Sequence, residues 1–178
     1  SQQIVLIVAQ PGMGKSTELT YLGSTLKQEN LSTWVIRVDL YKHQDFLNDE
    51  SISAYELLLN AGKFDTKFQK DLFKHQLDNE GNVVILLDGF DEINPKHTSR
   101  VLSLLRELMS SKVKTIWVTS RHVMMRRLEN ELCTLSFDFE LFTRDEQMNF
   151  LVKFWEKLNL NLCPLHTFVS RLLEQTAL

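Results

Sequence analysis

Short apolar runs alternate along the chain with segments in which apolar residues recur every three or four positions. The runs predict buried strands, and the recurring spacing predicts amphipathic helices. The predicted strands are Ile4–Val8, Thr33–Val38, Val83–Leu87, Val113–Thr119 and Cys133–Phe139. The predicted helices are Ser16–Glu29, Ser53–Leu59, Phe64–Leu77, Asn94–Met109 and His122–Asn130. Because strands and helices alternate, the pattern predicts a parallel sheet with helices on both faces.

The pattern changes near Phe142, after which no further strand is predicted. Residues 143–146, Thr-Arg-Asp-Glu, have the form of a capping box and open a helical segment. A further helix is predicted at Leu165–Leu173. We therefore predict a core domain over residues 1–142 and the beginning of a helical subdomain over residues 143–178. We also expect the chain to be a fragment of a longer protein, truncated at both ends.

The composition is that of an ordinary globular protein, with 178 residues, 43% hydrophobic and 24% charged. The net charge of −3 gives no electrostatic reason to expect nucleic acid or an anionic membrane as a partner. The longest apolar runs fall far short of the ~20 residues that cross a bilayer. Two cysteines, Cys133 and Cys163, form no CxxC pair, which argues against a zinc site or disulfide scaffold. We therefore expect a cytoplasmic protein with no membrane partner.

Some side chains have a predicted place in the core. The predicted helix Phe64–Leu77 would turn Phe64, Phe68, Leu72 and Phe73 toward the core. Phe46 and Phe150 are also predicted to be core residues, since aromatic residues are usually buried. Cys133 would lie in a buried strand, where a free cysteine behaves as a small apolar residue.

The turn after the first predicted strand, at residues 9–17, reads AQPGMGKST and matches the phosphate-binding loop GxxxxGK[ST] with alanine in first place. Backbone N–H groups and the helix dipole attract phosphate there, and Gly12 and Gly14 let the backbone approach closely. Lys15 is predicted to reach the β- and γ-phosphates, and Ser16 to bind Mg²⁺. The predicted nucleotide-binding residues are Gln10, Pro11, Gly12, Met13, Gly14, Lys15, Ser16 and Thr17.

The third predicted strand leads an apolar run directly into three carboxylates, in LLDGFDE at residues 86–92. A buried charge is costly unless it is compensated, and in a P-loop ATPase such an acid holds Mg²⁺ through water. Asp88 is therefore predicted to bind the metal, with Mg²⁺ and Lys15 as the compensating charges. Asp91 or Glu92 would orient the attacking water. A solvated acidic loop is the alternative that this motif alone leaves open.

The fourth predicted strand ends in polar residues, in TIWVTSR at residues 115–121. A polar-ended strand of this kind indicates the ATPases in which it inserts between the first and third strands. The predicted fold is a P-loop NTPase three-layer αβα sandwich with a five-stranded parallel sheet of order 5-1-4-3-2. Arg121 would contact the γ-phosphate or stabilise charge in the transition state. The alternative is a surface arginine at the strand end.

Together the three motifs AQPGMGKST, LLDGFDE and WVTSR resemble those of the NACHT family of STAND-type signalling ATPases. The resemblance extends over about residues 3–158. It implies that ATP or ADP, with Mg²⁺, controls a switch between a closed monomer and an open oligomer, formed by self-association through this domain. It also implies effector and sensor domains outside this chain, often in innate immunity or cell death.

Two other functions stay open at this point. An AAA+-like motor ATPase acting on nucleic acid or protein would share the same motifs, and a non-hydrolysing scaffold would merely hold ADP. A GTPase is disfavoured because the sequence has no NKxD segment to read guanine. For the signalling switch we expect slow ATP hydrolysis, weak in this isolated fragment. For a motor we expect fast turnover that responds to nucleic acid or a substrate protein.

Overall fold

The structure, a computed structural model, describes residues 3–157. It contains one parallel sheet of five strands: β1 (Ile4–Val8), β2 (Trp34–Asp39), β3 (Val83–Asp88), β4 (Thr115–Ser120) and β5 (Ser136–Asp138). The strand order is β2-β3-β4-β1-β5. The predicted order 5-1-4-3-2 is this order counted from the other edge, so the predicted fold is confirmed.

The helices follow the strands in chain order: α1 (Lys15–Glu29), α2 (Ala54–Gly62), α3 (Lys67–His75), α4 (Thr98–Met109), α5 (His122–Leu132) and α6 (Arg144–Lys157). Within residues 3–157, none of them combines the length and the apolar character that a membrane-crossing helix requires. The predicted helix Leu165–Leu173 lies outside the described residues.

Helices cover the two faces of the sheet, and alternate strand residues separate into two apolar clusters. On one face α1 packs through Leu19 against a small cluster of Val35, Val84 and Leu86. The other face carries the larger cluster, to which α2, α4 and α5 contribute side chains such as Leu58, Leu105 and Leu128. Strand β3 is buried along its whole length, because both of its faces are covered.

Helix α2 begins where the sequence predicts it, at a capping box. The side chain of Ser53 accepts a hydrogen bond from the Glu56 amide, and Oε2 of Glu56 accepts one from the Ser53 amide at 2.7 Å. The Glu107 carboxylate of α4 accepts a further bond from the Ala54 amide at 3.1 Å. These bonds satisfy amides that a helix N-terminus leaves without partners, and they tie α2 to α4.

The third helix begins later than predicted and turns a different face inward. It starts at Lys67, where Thr66 forms the cap, instead of at Phe64. Phe73 is fully buried, whereas Phe68 is 74% exposed. Five positions separate these two residues, which places their side chains about 140° apart around a helix of 3.6 residues per turn. Leu72 is 38% exposed, and Phe150 on α6 is 57% exposed. The predictions of Phe68, Leu72 and Phe150 as core residues were therefore wrong.

The fifth strand is shorter than predicted, since only Ser136–Asp138 pair with β1. Helix α5 continues to Leu132, which is buried, and the chain then turns through Cys133 in a left-handed conformation with φ 48°. Cys133 is exposed, so its predicted place in a buried strand was wrong. The Glu129 carboxylate accepts hydrogen bonds from the amide and hydroxyl of Ser136, which fixes where the strand can begin.

The chain divides into two compact units, Ser1–Phe139 and Glu140–Leu178. In the second unit, Thr143 and Glu146 form the capping box that the sequence predicts, with the Thr143 amide donating to Glu146 at 2.8 Å. The ring of Phe150 on α6 stacks with that of Phe154 on the same helix and with that of Phe142, which precedes the helix. That this unit opens a helical subdomain stays a prediction.

Candidate functional site

The loop that joins β1 to α1 leaves the sheet at its carboxyl edge. Val8 lies opposite Ser120, and the Ala9 amide donates to the Ser120 carbonyl at 3.2 Å. Gly12 and Gly14 have φ of 79° and 86°, a left-handed conformation that favours glycine. A Cβ added at either position would have no neighbouring atom within 4 Å. The loop therefore presents its backbone to open space, where a ligand can approach it.

The Lys15 ammonium is held across this loop. Its Nζ donates to the carbonyl oxygen of Ala9 at 3.0 Å and to that of Gln10 at 3.2 Å. Ser16 and Thr17 are exposed in the first turn of α1. The structure thus brings a cation, two hydroxyls and the amino end of a helix to one surface. This combination suits a phosphate group, which the helix dipole and the ammonium both attract.

Asp88 is the last residue of β3, and it is only 7% exposed. Its Oδ1 accepts a hydrogen bond from the Thr119 hydroxyl at 2.8 Å, and its Oδ2 lies 2.6 Å from Nη2 of Arg37. Burying a carboxylate is costly unless hydrogen bonds and an opposite charge compensate it. At Asp88 the Thr119 hydroxyl supplies the hydrogen bond and the Arg37 guanidinium supplies the charge. Leu87 of β3 lies opposite Val118 of β4, and Ser120 of β4 lies opposite Val8 of β1. Asp88 therefore lies at the same edge of the sheet as the loop that follows β1.

Sequence reasoning gave no role to Arg37 or to the Thr119 side chain, although both contact Asp88. Thr119 is fully buried, and its hydroxyl also accepts from the Gly89 amide at 3.0 Å. Arg37 additionally contacts the Thr20 hydroxyl on α1. A signal was present: each is a polar residue inside an apolar run, at a strand position on the same face as Asp88.

The two other acidic residues of the motif differ in their surroundings. The Asp91 side chain is 4% exposed, and its Oδ2 lies 2.8 Å from Nε of Arg121. Its Oδ1 is buried, with no hydrogen-bond partner among the described residues. Glu92 is exposed, and no residue within 3–157 pairs with its carboxylate. The structure therefore brings Arg121 and Asp91 together and leaves Glu92 free to contact solvent or a ligand.

The donor atoms available at this edge fit a magnesium ion. The Ser16 hydroxyl and the Asp88 carboxylate are hard oxygen donors, the kind that Mg²⁺ prefers. Among the described residues, no three His, Cys, Asp or Glu side chains cluster as an all-protein metal site would need. Such a sparse donor set suits Mg²⁺, which keeps several waters and completes its octahedron with phosphate oxygens.

Two further carboxylates flank the edge, and both have lowered pKa values. Burial would raise the pKa of Asp39, but the hydrogen bonds and charge of Lys42, 2.7 Å away, outweigh it. On the other side, Asp138 lies opposite Val8. Nε2 of His122 contacts Oδ2 of Asp138 at 2.6 Å, and this hydrogen bond lowers the pKa of that carboxyl. Both carboxylates are therefore held in the charged form at neutral pH.

Comparison with known proteins identifies the family to which the chain belongs. The model of the NACHT domain matches residues 3–157. A search of curated proteins finds no significant match. Among solved structures, that of C. elegans PCH-2 is similar, with a TM-score of 0.54 and 13% identity over 89% of this chain and 41% of that chain. At that identity the likeness shows the fold alone, and this chain spans about two fifths of that protein's length. Since the family match covers most of the chain, the protein belongs to the NACHT domain family and is a nucleotide-binding P-loop NTPase module.

Proposed function

We propose that this domain is a nucleotide-controlled switch of a signalling protein. It binds ATP or ADP with Mg²⁺, hydrolyses ATP slowly, and through the bound nucleotide controls self-association of the full-length protein. The observation that supports the proposal most is the convergence of the phosphate-binding loop, with its Lys15 ammonium, and the buried Asp88 at one edge of the sheet.

Binding begins with the phosphates. The amides of the loop after β1 and the amino end of α1 would donate to phosphate oxygens. Lys15, which donates to the Ala9 and Gln10 carbonyls, would turn to the β- and γ-phosphates. Ser16 and Asp88 would hold Mg²⁺. The metal, when bound, neutralises phosphate charge that Lys15 alone leaves uncompensated.

Hydrolysis needs a group that orients the attacking water, and the structure favours Glu92 for that role. Asp91 is buried and engaged with Arg121, whereas the Glu92 carboxylate is exposed and unengaged among the described residues. Asp91 is then a positioning residue that holds Arg121, whose guanidinium would contact the γ-phosphate. Because no described side chain orients Glu92, the attacking water would be poorly preorganised, and we therefore expect slow turnover.

The experiment measures ATP turnover and molar mass for the full-length protein, with Glu92→Gln and Asp91→Asn as variants. We expect Glu92→Gln to bind ATP as the parent does and to lose about 100-fold in turnover, the lower part of the range for a lost general base. Light scattering should show a larger assembly with ATP than with ADP.

Other results would contradict the switch proposal or indicate one of the two other functions. If both variants hydrolyse ATP like the parent and the mass is the same with either nucleotide, the switch proposal is wrong. Tight ADP binding without any turnover would instead identify a scaffold. Fast turnover that rises with nucleic acid or a substrate protein would identify a motor.

A further inference from the structure

Arg37 connects three elements beside the predicted magnesium site. It lies on β2, and its Nη2 is 2.6 Å from Oδ2 of Asp88 at the end of β3. Its Nη1 contacts the hydroxyl of Thr20, which is one turn after Ser16 on α1. The side chain is 36% exposed, whereas that of Asp88 is 9% exposed. One end of this ion pair is therefore buried and fixed, and the other is accessible to solvent.

The ion pair engages the oxygen that a hydrated metal would approach. Asp88 has two carboxylate oxygens: Oδ1 accepts from Thr119 on β4, and Oδ2 faces Arg37. The Thr119 hydroxyl is itself fixed by the Gly89 amide, so this side of the carboxylate has no room to change partners. A hydrated Mg²⁺ and a guanidinium repel each other at hydrogen-bonding distance from one carboxylate. Metal binding at Asp88 therefore has to weaken or displace Arg37.

The surroundings provide a place for a displaced guanidinium. Beside Arg37 lies an open groove of about 800 Å³, also lined by Thr20, Ser24 and Trp34. Thr20 is already a partner of Arg37, so the guanidinium can keep that contact while it leaves Asp88. Because Arg37 is long and partly exposed, this movement requires no rearrangement of β2.

We propose that Arg37 is the counterion of Asp88 in the metal-free protein, that Mg²⁺ displaces it on binding, and that Arg37 thereby sets the magnesium concentration at which nucleotide binds tightly. This inference rests on the proposed Mg²⁺-nucleotide binding at Asp88. Arg37 acts through Asp88 and is a positioning residue. While Arg37 contacts Oδ2, the ion pair stabilises the metal-free protein relative to the metal-bound one, so the Arg37 contact and metal binding at Asp88 oppose each other.

The test is a Mg²⁺ titration of ADP affinity in the parent, Arg37→Met and Arg37→Lys. Met keeps much of the aliphatic length and removes the competing cation. We expect the Mg²⁺ concentration at half effect to fall about 5-fold or more in Arg37→Met, the lower end of usual coupling between two ligands. Lys keeps the positive charge but lacks the planar fork that lets Arg37 contact Asp88 and Thr20 with two different nitrogens, so it should lie between. Arg106→Met is the matched control, since Arg106 pairs with Glu131 between α4 and α5.

A different result is expected if the Arg37–Asp88 ion pair only stabilises the fold and does not compete with Mg²⁺. It would make Arg37→Met less stable and would leave its magnesium midpoint unchanged or raised, and that outcome overturns the proposal. Should the Met variant fail to fold, the Lys variant carries the test, with a midpoint below the parent's expected and an unchanged midpoint contradicting it.

Unfolding with Mg²⁺ alone separates this inference from the proposed function. If neither parent nor variant binds nucleotide, the proposed function fails, and the inference is judged by thermal unfolding without nucleotide. Mg²⁺ should then raise the unfolding temperature of Arg37→Met more than that of the parent or of Arg106→Met. An equal response in all three proteins would refute the exchange of Arg37 for Mg²⁺.

Discussion

Replacing Thr119 by valine tests whether its buried hydroxyl holds Asp88, the acid predicted to bind the metal, in place. Valine has nearly the same shape as threonine, so the change removes two hydrogen bonds with little change in packing. The hydroxyl donates to Asp88 at 2.8 Å and accepts from the Gly89 amide at 3.0 Å, and Thr119 is fully buried. Neither partner can therefore turn to solvent when the hydroxyl is lost.

The magnitude follows from what each partner loses. A buried amide left without an acceptor costs about 1–3 kcal/mol, and a lost hydrogen bond to a charged group costs about 1.5–3 kcal/mol. The Arg37 pair still compensates Asp88, so we expect about 3 kcal/mol for the two losses together. In a domain of this size that corresponds to a fall of roughly 6–12 °C in unfolding temperature.

Urea denaturation followed by tryptophan fluorescence measures this free energy, and Trp117 lies two positions away on the same strand. Thr119→Ser is the matched control, because it keeps the hydroxyl and loses only a methyl group, at a cost of about 1 kcal/mol. If the valine and serine variants unfold at the same urea concentration, the hydroxyl does not support Asp88 and the reasoning is wrong. We also expect weaker Mg²⁺-dependent ADP binding in Thr119→Val than in Thr119→Ser.

Three further predictions concern the loop, a helix cap and an exposed acid. Gly14→Ala forces alanine into a left-handed conformation with φ 86°, so it should destabilise the fold by about 1–2 kcal/mol in urea denaturation, and no loss would contradict this. Ser53→Ala should cost about 1 kcal/mol by removing the capping box of α2, whereas an unchanged urea midpoint would show that Glu107 alone suffices. The His122 hydrogen bond lowers the pKa of Asp138, so its stabilisation is present above the ordinary carboxyl pKa and is lost as pH falls through the lowered one. His122→Ala should therefore raise the pKa of Asp138 in an NMR titration, and an unshifted value would contradict the assignment.

The parts of the site that follow from short sequence motifs could be predicted. The loop needs left-handed backbone at Gly12 and Gly14 and a helix directly after them. Both the glycines and the helical pattern can be read from one short stretch of sequence. Asp88 could be found because an apolar run that ends in a carboxylate is costly without a partner. The strand order also followed, since the polar end of the fourth strand indicated its place between the first and third.

The parts that depend on strand register and helix rotation could not be predicted as well. Arg37 and Thr119 are polar residues in apolar runs, but their contacts with Asp88 depend on the pairing of β2, β3 and β4. Phe68 and Leu72 were assigned to the core together with Phe73 as one face of the predicted helix, although of these three residues the structure buries Phe73 alone. The length of the fifth strand was overestimated because α5 continues to Leu132 before the chain turns.

The most direct test of the account is an equilibrium titration of the parent and Lys15→Ala with ADP and with ATP, each with and without Mg²⁺. Lys27→Ala, a substitution at the far end of α1, serves as the control. The account predicts that the parent and Lys27→Ala bind both nucleotides more tightly with Mg²⁺, and that Lys15→Ala binds neither. Equal affinity in Lys15→Ala and the parent, or no effect of Mg²⁺ on the parent, would contradict it.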